Sequence, residues 1–108
     1  MKIAAVQMDI KLGEVELNLS AIVARLREAA LNGAKLVVFP ECAVSGYCFD
    51  SLEEALPFAQ PIPGSATEHL STVCVELDVF AVFGMLERDG DRVFNAAVLT
   101  GPDGVVGS

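Results

Sequence analysis

Apolar positions along this chain fall into two kinds of pattern, continuous runs and stripes of helical period. Ile3 to Met8 is the first run, broken by Gln7, and predicts a strand in which the Gln7 amide bridges neighbouring backbone. Lys11 to Glu14 reads as a turn. Leu19, Ile22, Val23, Leu26 and Ala30 then recur at a 3.6-residue period, which predicts a helix starting between Glu14 and Ser20. Arg25, Arg27 and Glu28 lie off that stripe. Asn32-Gly33 ends the helix, with Gly33 suited to the left-handed position after the cap.

Leu36-Val37-Val38-Phe39 is a second continuous run, the pattern of a strand buried on both faces. Pro40 lacks the N–H a ladder needs, so the strand is expected to stop there. Ser45 to Phe49 reads as a loop and Ser51 to Phe58 as a short helix ended by prolines. Ser65 with Glu68 has the spacing of a capping box, ahead of a stripe of Leu70, Val73, Cys74 and Leu77. Loss of that Ser65 cap is expected to cost about 1 kcal/mol. Val79 to Leu86 is a third apolar run with Gly84 inside it. Asp89-Gly90 signals a hairpin into Val93 to Thr100, where Asn95 is the polar exception and needs partners if it points inward. A turn at Gly101 to Gly104 leads into one more strand at Val105-Val106. Strand–helix–strand followed by helix–strand predicts an α/β layered fold, and the closing meander makes its sheet mixed.

Length and composition change this picture in two ways. At 108 residues the chain is expected to form a single domain. It is also 53% hydrophobic, more apolar than so short a chain needs, which predicts faces meant for a missing half or a partner. A net charge of −8 argues against nucleic acid and anionic membrane as partners. No run reaches the length of a membrane-spanning helix, and the N-terminus lacks the form of a secretory signal, so a cytoplasmic protein is the expectation.

Candidate chemistry concentrates at Glu41, just past the expected end of the central strand, where α/β sheets often bind ligands. Spacing alone leaves two readings, a solvated loop carboxylate and a buried base. Between Leu36 and Glu87 there is no Lys or Arg, so a buried Glu41 would find no neutralising neighbour in sequence. Tyr47 and Phe49 are candidates to line a pocket above it, with simple packing under the loop as the competing reading. Cys42, Cys48 and Cys74 do not form a disulfide framework and read as small buried hydrophobes. An extended backbone at Cys42 would also turn its side chain away from Glu41. His69 lies off the apolar face, and no Cys/His cluster has zinc spacing, so neither metal nor cofactor is expected. Gly64-Ser65 at a helix start needs no anion, since capping explains it.

Phe39-Pro40-Glu41 with Ser45-Gly46-Tyr47, the opening strand ending in Val6-Gln7, and the element order together resemble the nitrilase superfamily of carbon–nitrogen hydrolases. The resemblance runs from Met1 to Ser108, with one departure at Lys35, where relatives often carry an acidic residue. It implies the N-terminal half of an α-β-β-α sandwich, here a single and truncated domain over residues 1–108. It also implies hydrolysis of a small amide, more than a nitrile, by a Glu-Lys-Cys set in a protein that forms homo-oligomers. Glu41 matches the base of that set. Lys2, Lys11 and Lys35 all precede it and do not match the lysine, which the pattern puts shortly after the strand beginning at Gly104. The nucleophilic cysteine comes later still. The chain alone is therefore expected to be inactive. The alternative is a non-catalytic α/β binding or assembly module that keeps the fold, and a part of a larger glutamine-dependent synthetase is a further possibility.

Overall fold

A computed structural model describes all residues from Met1 to Ser108. The strands are β1 (Lys2–Ala5), β2 (Ala34–Val38), β3 (Phe80–Asp89), β4 (Arg92–Gly101) and β5 (Gly104–Gly107). The helices are α1 (Val15–Leu31), a single turn α2 (Leu52–Ala55) that runs into a 3-10 turn at Leu56–Phe58, and α3 (Ser65–Leu77). The five strands form one sheet in the order β1-β2-β3-β4-β5. β1, β2 and β3 are parallel, and β3, β4 and β5 are antiparallel to one another, so the sheet is mixed as the element order predicts. α1 links β1 to β2, and α3 precedes β3. These are the long crossovers that parallel pairing requires.

Both long helices cover the same sheet face. Leu19, Ile22 and Leu26 of α1 are buried at the expected positions, and so are Leu70, Val73 and Cys74 of α3. They meet Val37 of β2, Ala81, Phe83 and Met85 of β3, and Val98 of β4 in one continuous core. An ion pair between Arg27 and Glu76, 2.8 Å apart at the surface, ties the two helices together. α1 ends as its sequence predicts, with Gly33 at φ +89° donating its N–H to the Ala30 carbonyl.

The other sheet face is largely uncovered. Ile3, Leu36 and Phe80 are neighbours across β1, β2 and β3, and Val38, Val82 and Leu99 are neighbours across β2, β3 and β4. Ile3 is 60% and Phe80 44% exposed. A hollow of about 430 Å³ opens among Leu36, Phe80, Val82 and Leu99. The apolar excess of the composition is located here, on a patch of the kind that marks an interaction surface. The exception is the far end of β3, where Cys42, Ala55 and Ala59 pack on Leu86.

The cap of α3 differs from its sequence expectation. Gly64, not Ser65, is the N-cap, and Ser65 is the first helical residue. Thr67 Oγ1 accepts the Gly64 N–H at 2.8 Å, and Gln60 Oε1 accepts the Ala66 N–H at 2.8 Å. A Cβ at residue 64 would lie 2.5 Å from the Pro61 carbonyl oxygen, so the tight approach of the preceding loop selects glycine there. The cost assigned to losing a Ser65 cap therefore does not apply. Ser51 and Glu54 carry the side-chain caps instead: Ser51 Oγ accepts the Glu54 N–H at 3.2 Å, and Glu54 accepts the Asp50 N–H at 3.0 Å.

Asn18, a polar residue on the buried side of α1, joins three segments. Its Oδ1 accepts the Lys11 N–H at 2.9 Å, and its Nδ2 donates to the carbonyls of Lys11 at 2.7 Å and Val44 at 3.0 Å. Truncation orphans these groups, and a buried unpaired donor or acceptor costs about 1–3 kcal/mol. Asn18→Ala is expected to lower the midpoint of urea unfolding accordingly. An unchanged midpoint would mean that water replaces the amide without loss.

Candidate active site

The turn that carries Glu41 is built by strand ends. β2 makes its last ladder contact when the Phe39 N–H donates to the Val82 carbonyl at 2.8 Å. Pro40 has no N–H to continue, and Glu41 to Ser45 form a turn. That turn lies directly on β3. The Gly84 N–H donates to the Pro40 carbonyl at 3.2 Å, and the Gly84 carbonyl accepts the Val44 N–H at 3.4 Å. A Cβ at residue 84 would stand 2.2 Å from the Cys42 nitrogen and 2.7 Å from the Glu41 Cα, both of them backbone atoms. Glycine is the residue that permits this contact. From the other side the turn is held by Asn18 on the Val44 carbonyl and by the Gly13 N–H on the Ser45 carbonyl at 2.9 Å.

Cys42 is not extended, so the condition for its facing away from Glu41 is not met. Its φ is +48°, in the left-handed region, and its side chain is fully buried. The argument that Glu41 and Cys42 must face opposite ways therefore fails. Both side chains reach the same third residue. Asn95 Nδ2 donates to Glu41 Oε1 at 2.5 Å, and the Cys42 thiol donates to Asn95 Oδ1 at 3.4 Å. Asn95 arrives by strand register: it pairs with Leu86, while Ala97, two residues on along the same face, pairs with Gly84. The partners required of this polar exception are thus the Glu41 carboxylate and the Cys42 thiol.

Glu41 stands in a cleft of about 370 Å³ on the open sheet face, with Pro40, Val82, Gly84, Asn95 and Ala97 among its walls. It is exposed, because no layer covers that face. Of the two readings left open by the spacing, the exposed carboxylate is the one seen in this chain. No lysine lines the cleft. Lys2 Nζ donates to the Asn32 carbonyl, Lys11 pairs with Asp9, and Lys35 lies 3.7 Å from Asp78.

Tyr47 and Phe49 do not line this cleft either. Tyr47 is 60% exposed and borders a separate groove with Ile10 and Leu12. Phe49 stacks on Phe58, with ring centroids 5.3 Å apart, and packs beside the small cluster at Leu86. Cys48 is exposed, so the expectation of three buried thiols holds for Cys42 and Cys74 alone. Burial raises the Cys74 thiol to about 11. Burial, and after it the charge of Glu41, pushes the Cys42 thiol up as well, which keeps it protonated and a poor nucleophile. His69 is exposed, and no three His, Cys, Asp or Glu side chains converge as a metal site would need.

The mixed α/β half-layer is the arrangement that the solved structures of similar fold share. The chain belongs to the carbon-nitrogen hydrolase family, whose model matches residues 2–108. It is 41% identical over 108 residues to a nitrilase of Pyrococcus abyssi, covering 99% of this chain and 41% of that protein. It is 33% identical over 106 residues to the human omega-amidase NIT2, covering 97% and 37% respectively. Among solved structures, an N-terminal amidase with a bound Gln-Gly peptide superposes with a TM-score of 0.80 at 19% identity, over 94% of this chain and 25% of that one. XC1258 from Xanthomonas campestris, a CN-hydrolase superfamily protein, superposes with a TM-score of 0.75 at 22% identity, over 91% and 35%. The chain thus spans about two-fifths of the length of the curated relatives it matches.

Two outcomes follow from this geometry. Gly84→Ala forces the Glu41 turn off β3 and is expected to destabilise the chain by about 1–3 kcal/mol, the usual cost of overpacking. Gly107→Ala, where a Cβ meets nothing within 4 Å, is the control and leaves the unfolding midpoint in place. In a chain also carrying Cys48→Ser and Cys74→Ala, Glu41→Gln removes the second cause of the raised Cys42 thiol. The pH midpoint for alkylation of Cys42 then moves down, and it stays put if the Glu41 charge does not reach the sulfur.

Proposed function

We propose that this chain is the N-terminal part of a hydrolase of non-peptide carbon–nitrogen bonds, acting on small amides in preference to nitriles, with Glu41 as its general base. The observation that carries the proposal is the placement of Glu41: a carboxylate at the end of β2, on a turn fixed to Gly84, facing a cleft on the sheet's open side. A base needs a fixed position and an accessible oxygen, and this arrangement supplies both. The family assignment supports the reaction class, and the omega-amidase relatives support amide over nitrile.

In this reading a lysine and a nucleophilic cysteine come from sequence following Ser108. The cysteine attacks the amide carbon and Glu41 takes its proton. The lysine stabilises the oxyanion, and Glu41 returns the proton to the leaving amine, which leaves a thioester. Water, giving up a proton to Glu41, then cleaves the thioester, and the acid departs as the cysteine thiol is restored. The remainder of the sandwich covers the apolar face that holds Ile3, Val38 and Phe80. Covering that face also desolvates Glu41, which stands on it. The proposal assigns no substrate contact to Tyr47 or Phe49, since neither borders the cleft. The whole protein is proposed to be a homo-oligomer, in keeping with the family resemblance.

Ammonia release from a panel of primary amides tests the proposal on the whole protein that carries this sequence. Glu41→Gln is expected to lower kcat by about 10²- to 10⁴-fold, the range of a lost general base. The 108-residue chain alone is expected to release no ammonia. Undiminished turnover by Glu41→Gln would remove Glu41 from the mechanism. Absence of ammonia from every amide would favour the binding or assembly module.

A further inference from the structure

The Glu41 carboxylate has two oxygens and one protein partner. Asn95 Nδ2 donates to Oε1, and no other side chain or backbone group bonds either oxygen. Oε2 is therefore the oxygen free to face a reacting group. Asn95 is itself held at its other end. Its Oδ1 accepts from the Cys42 thiol, and that thiol has no other acceptor. A flipped amide would set Oδ1 against a carboxylate oxygen, two acceptors face to face, and would leave the thiol without a partner. The carboxylate and the thiol thus select the same amide orientation.

We propose that Asn95 is the positioning residue of Glu41, and that the Cys42 thiol sets the Asn95 amide so that it donates to the carboxylate. The proposal rests on the reading of Glu41 as the base for its consequence in catalysis, but the pairing itself does not. Three features support it. Asn95 is exposed, so its amide fills no core and is not required for packing. Cys42 and Glu41 are adjacent on a turn fixed to β3, while Asn95 stands on β4, so two rigid elements meet at this amide. The buried thiol stays protonated and remains a donor, an acceptor-only thiolate being disfavoured there both by burial and by Glu41. Cys42 acts here as the hydrogen-bond donor that orients an amide.

The test has one arm independent of activity. In the 108-residue chain, the side-chain amide resonances of Asn95 are followed by NMR as pH is taken through the carboxylate range. They are expected to move with the protonation of Glu41, and Glu41→Gln is expected to abolish that movement. Cys42→Ser, which keeps a donor, retains the movement, and Cys42→Ala weakens it. An Asn95 amide that is silent through the titration, or that titrates unchanged in Glu41→Gln, overturns the pairing. A Cys42→Ala chain that behaves as wild type overturns the role of the thiol.

The second arm uses the whole protein. Asn95→Ala is expected to lower kcat about 100-fold with little change in KM, the size of effect that a misplaced catalytic group produces. Asn95→Asp, of the same size but without the amide donor, is expected to be no better. An unchanged kcat in Asn95→Ala overturns the positioning role. If Glu41→Gln hydrolyses amides normally, the general-base reading fails, and the NMR arm still decides the pairing.

Discussion

The contact on which this structure depends is the approach of the Glu41 turn to Gly84. Two backbone hydrogen bonds join the turn to β3 there, and the space between them is too small for a methyl group. A parallel strand ordinarily ends and its chain leaves the sheet. Here Pro40 ends the pairing, yet the chain stays on the sheet surface for another turn and packs Cys42 onto the end of β3. Everything at the site inherits its position from this contact. Glu41 is placed over the sheet, Cys42 is driven into the left-handed region, and the register of β4 brings Asn95 between them. Asn18 is the same device seen from the helix side, since its amide ties α1 to the carbonyl of Val44 in that turn.

The two faces of the sheet divide the labour of the chain. One face is a finished core, in which α1 and α3 bury an unbroken set of aliphatic and aromatic side chains. The other is apolar and bare over β1 to β3, and Glu41 stands on it. A small domain that leaves one sheet face uncovered forgoes much of the burial that stabilises folding. About three-fifths of the length of the two relatives is not matched by this chain. The same covering that would complete the core would also enclose the carboxylate. Stability and electrostatics are therefore coupled through one surface, because excluding water strengthens each polar interaction within it.

Much of the architecture is legible in the sequence because it rests on local pattern. The stripes through Ile22 and Leu26 and through Leu70 and Val73 select the buried helix faces without help from distant residues. Pro40 ends β2 for a reason internal to proline, and Gly33 closes α1 for one internal to glycine. What is not legible is decided by partners far along the chain. Ser51 with Glu54 and Ser65 with Glu68 have the same spacing, yet α2 uses its pair while α3 is capped through Gln60 and Thr67, because the Pro61 carbonyl crowds residue 64. Tyr47 and Phe49 are near Glu41 in sequence and not at its cleft, since the loop turns Phe49 onto Phe58. Asn18 is one polar residue next to an apolar stripe, and its residue type does not mark it as buried. An asparagine on the inner side of an amphipathic helix, beside the turn that leads into it, is the available signal; its bond to the turn after β2 is set by tertiary structure. Gly84 and Asn95 stood out as exceptions in apolar strands, but only register shows that they serve the same turn.

The cysteine next to the carboxylate shows how residue type and role separate. A thiol beside a base invites assignment as a nucleophile, and adjacency in an extended segment would argue against it on geometry. The geometry is not extended, and that argument falls. The assignment fails on electrostatics instead. A buried sulfur next to a carboxylate is held as the thiol, first by desolvation and then by the neighbouring charge. The same two causes that make Cys42 a poor nucleophile make it a dependable donor to Asn95. If Glu41 is the base proposed above, proton uptake at one of its oxygens gains from having the other occupied, since a carboxylate held at one end has fewer orientations to lose in the transition state. In the proposed mechanism Asn95 supplies that hold without adding charge beside Glu41. A lysine or arginine in its place would add a positive charge beside the proposed base, whereas an amide donates a hydrogen bond and carries no charge of its own.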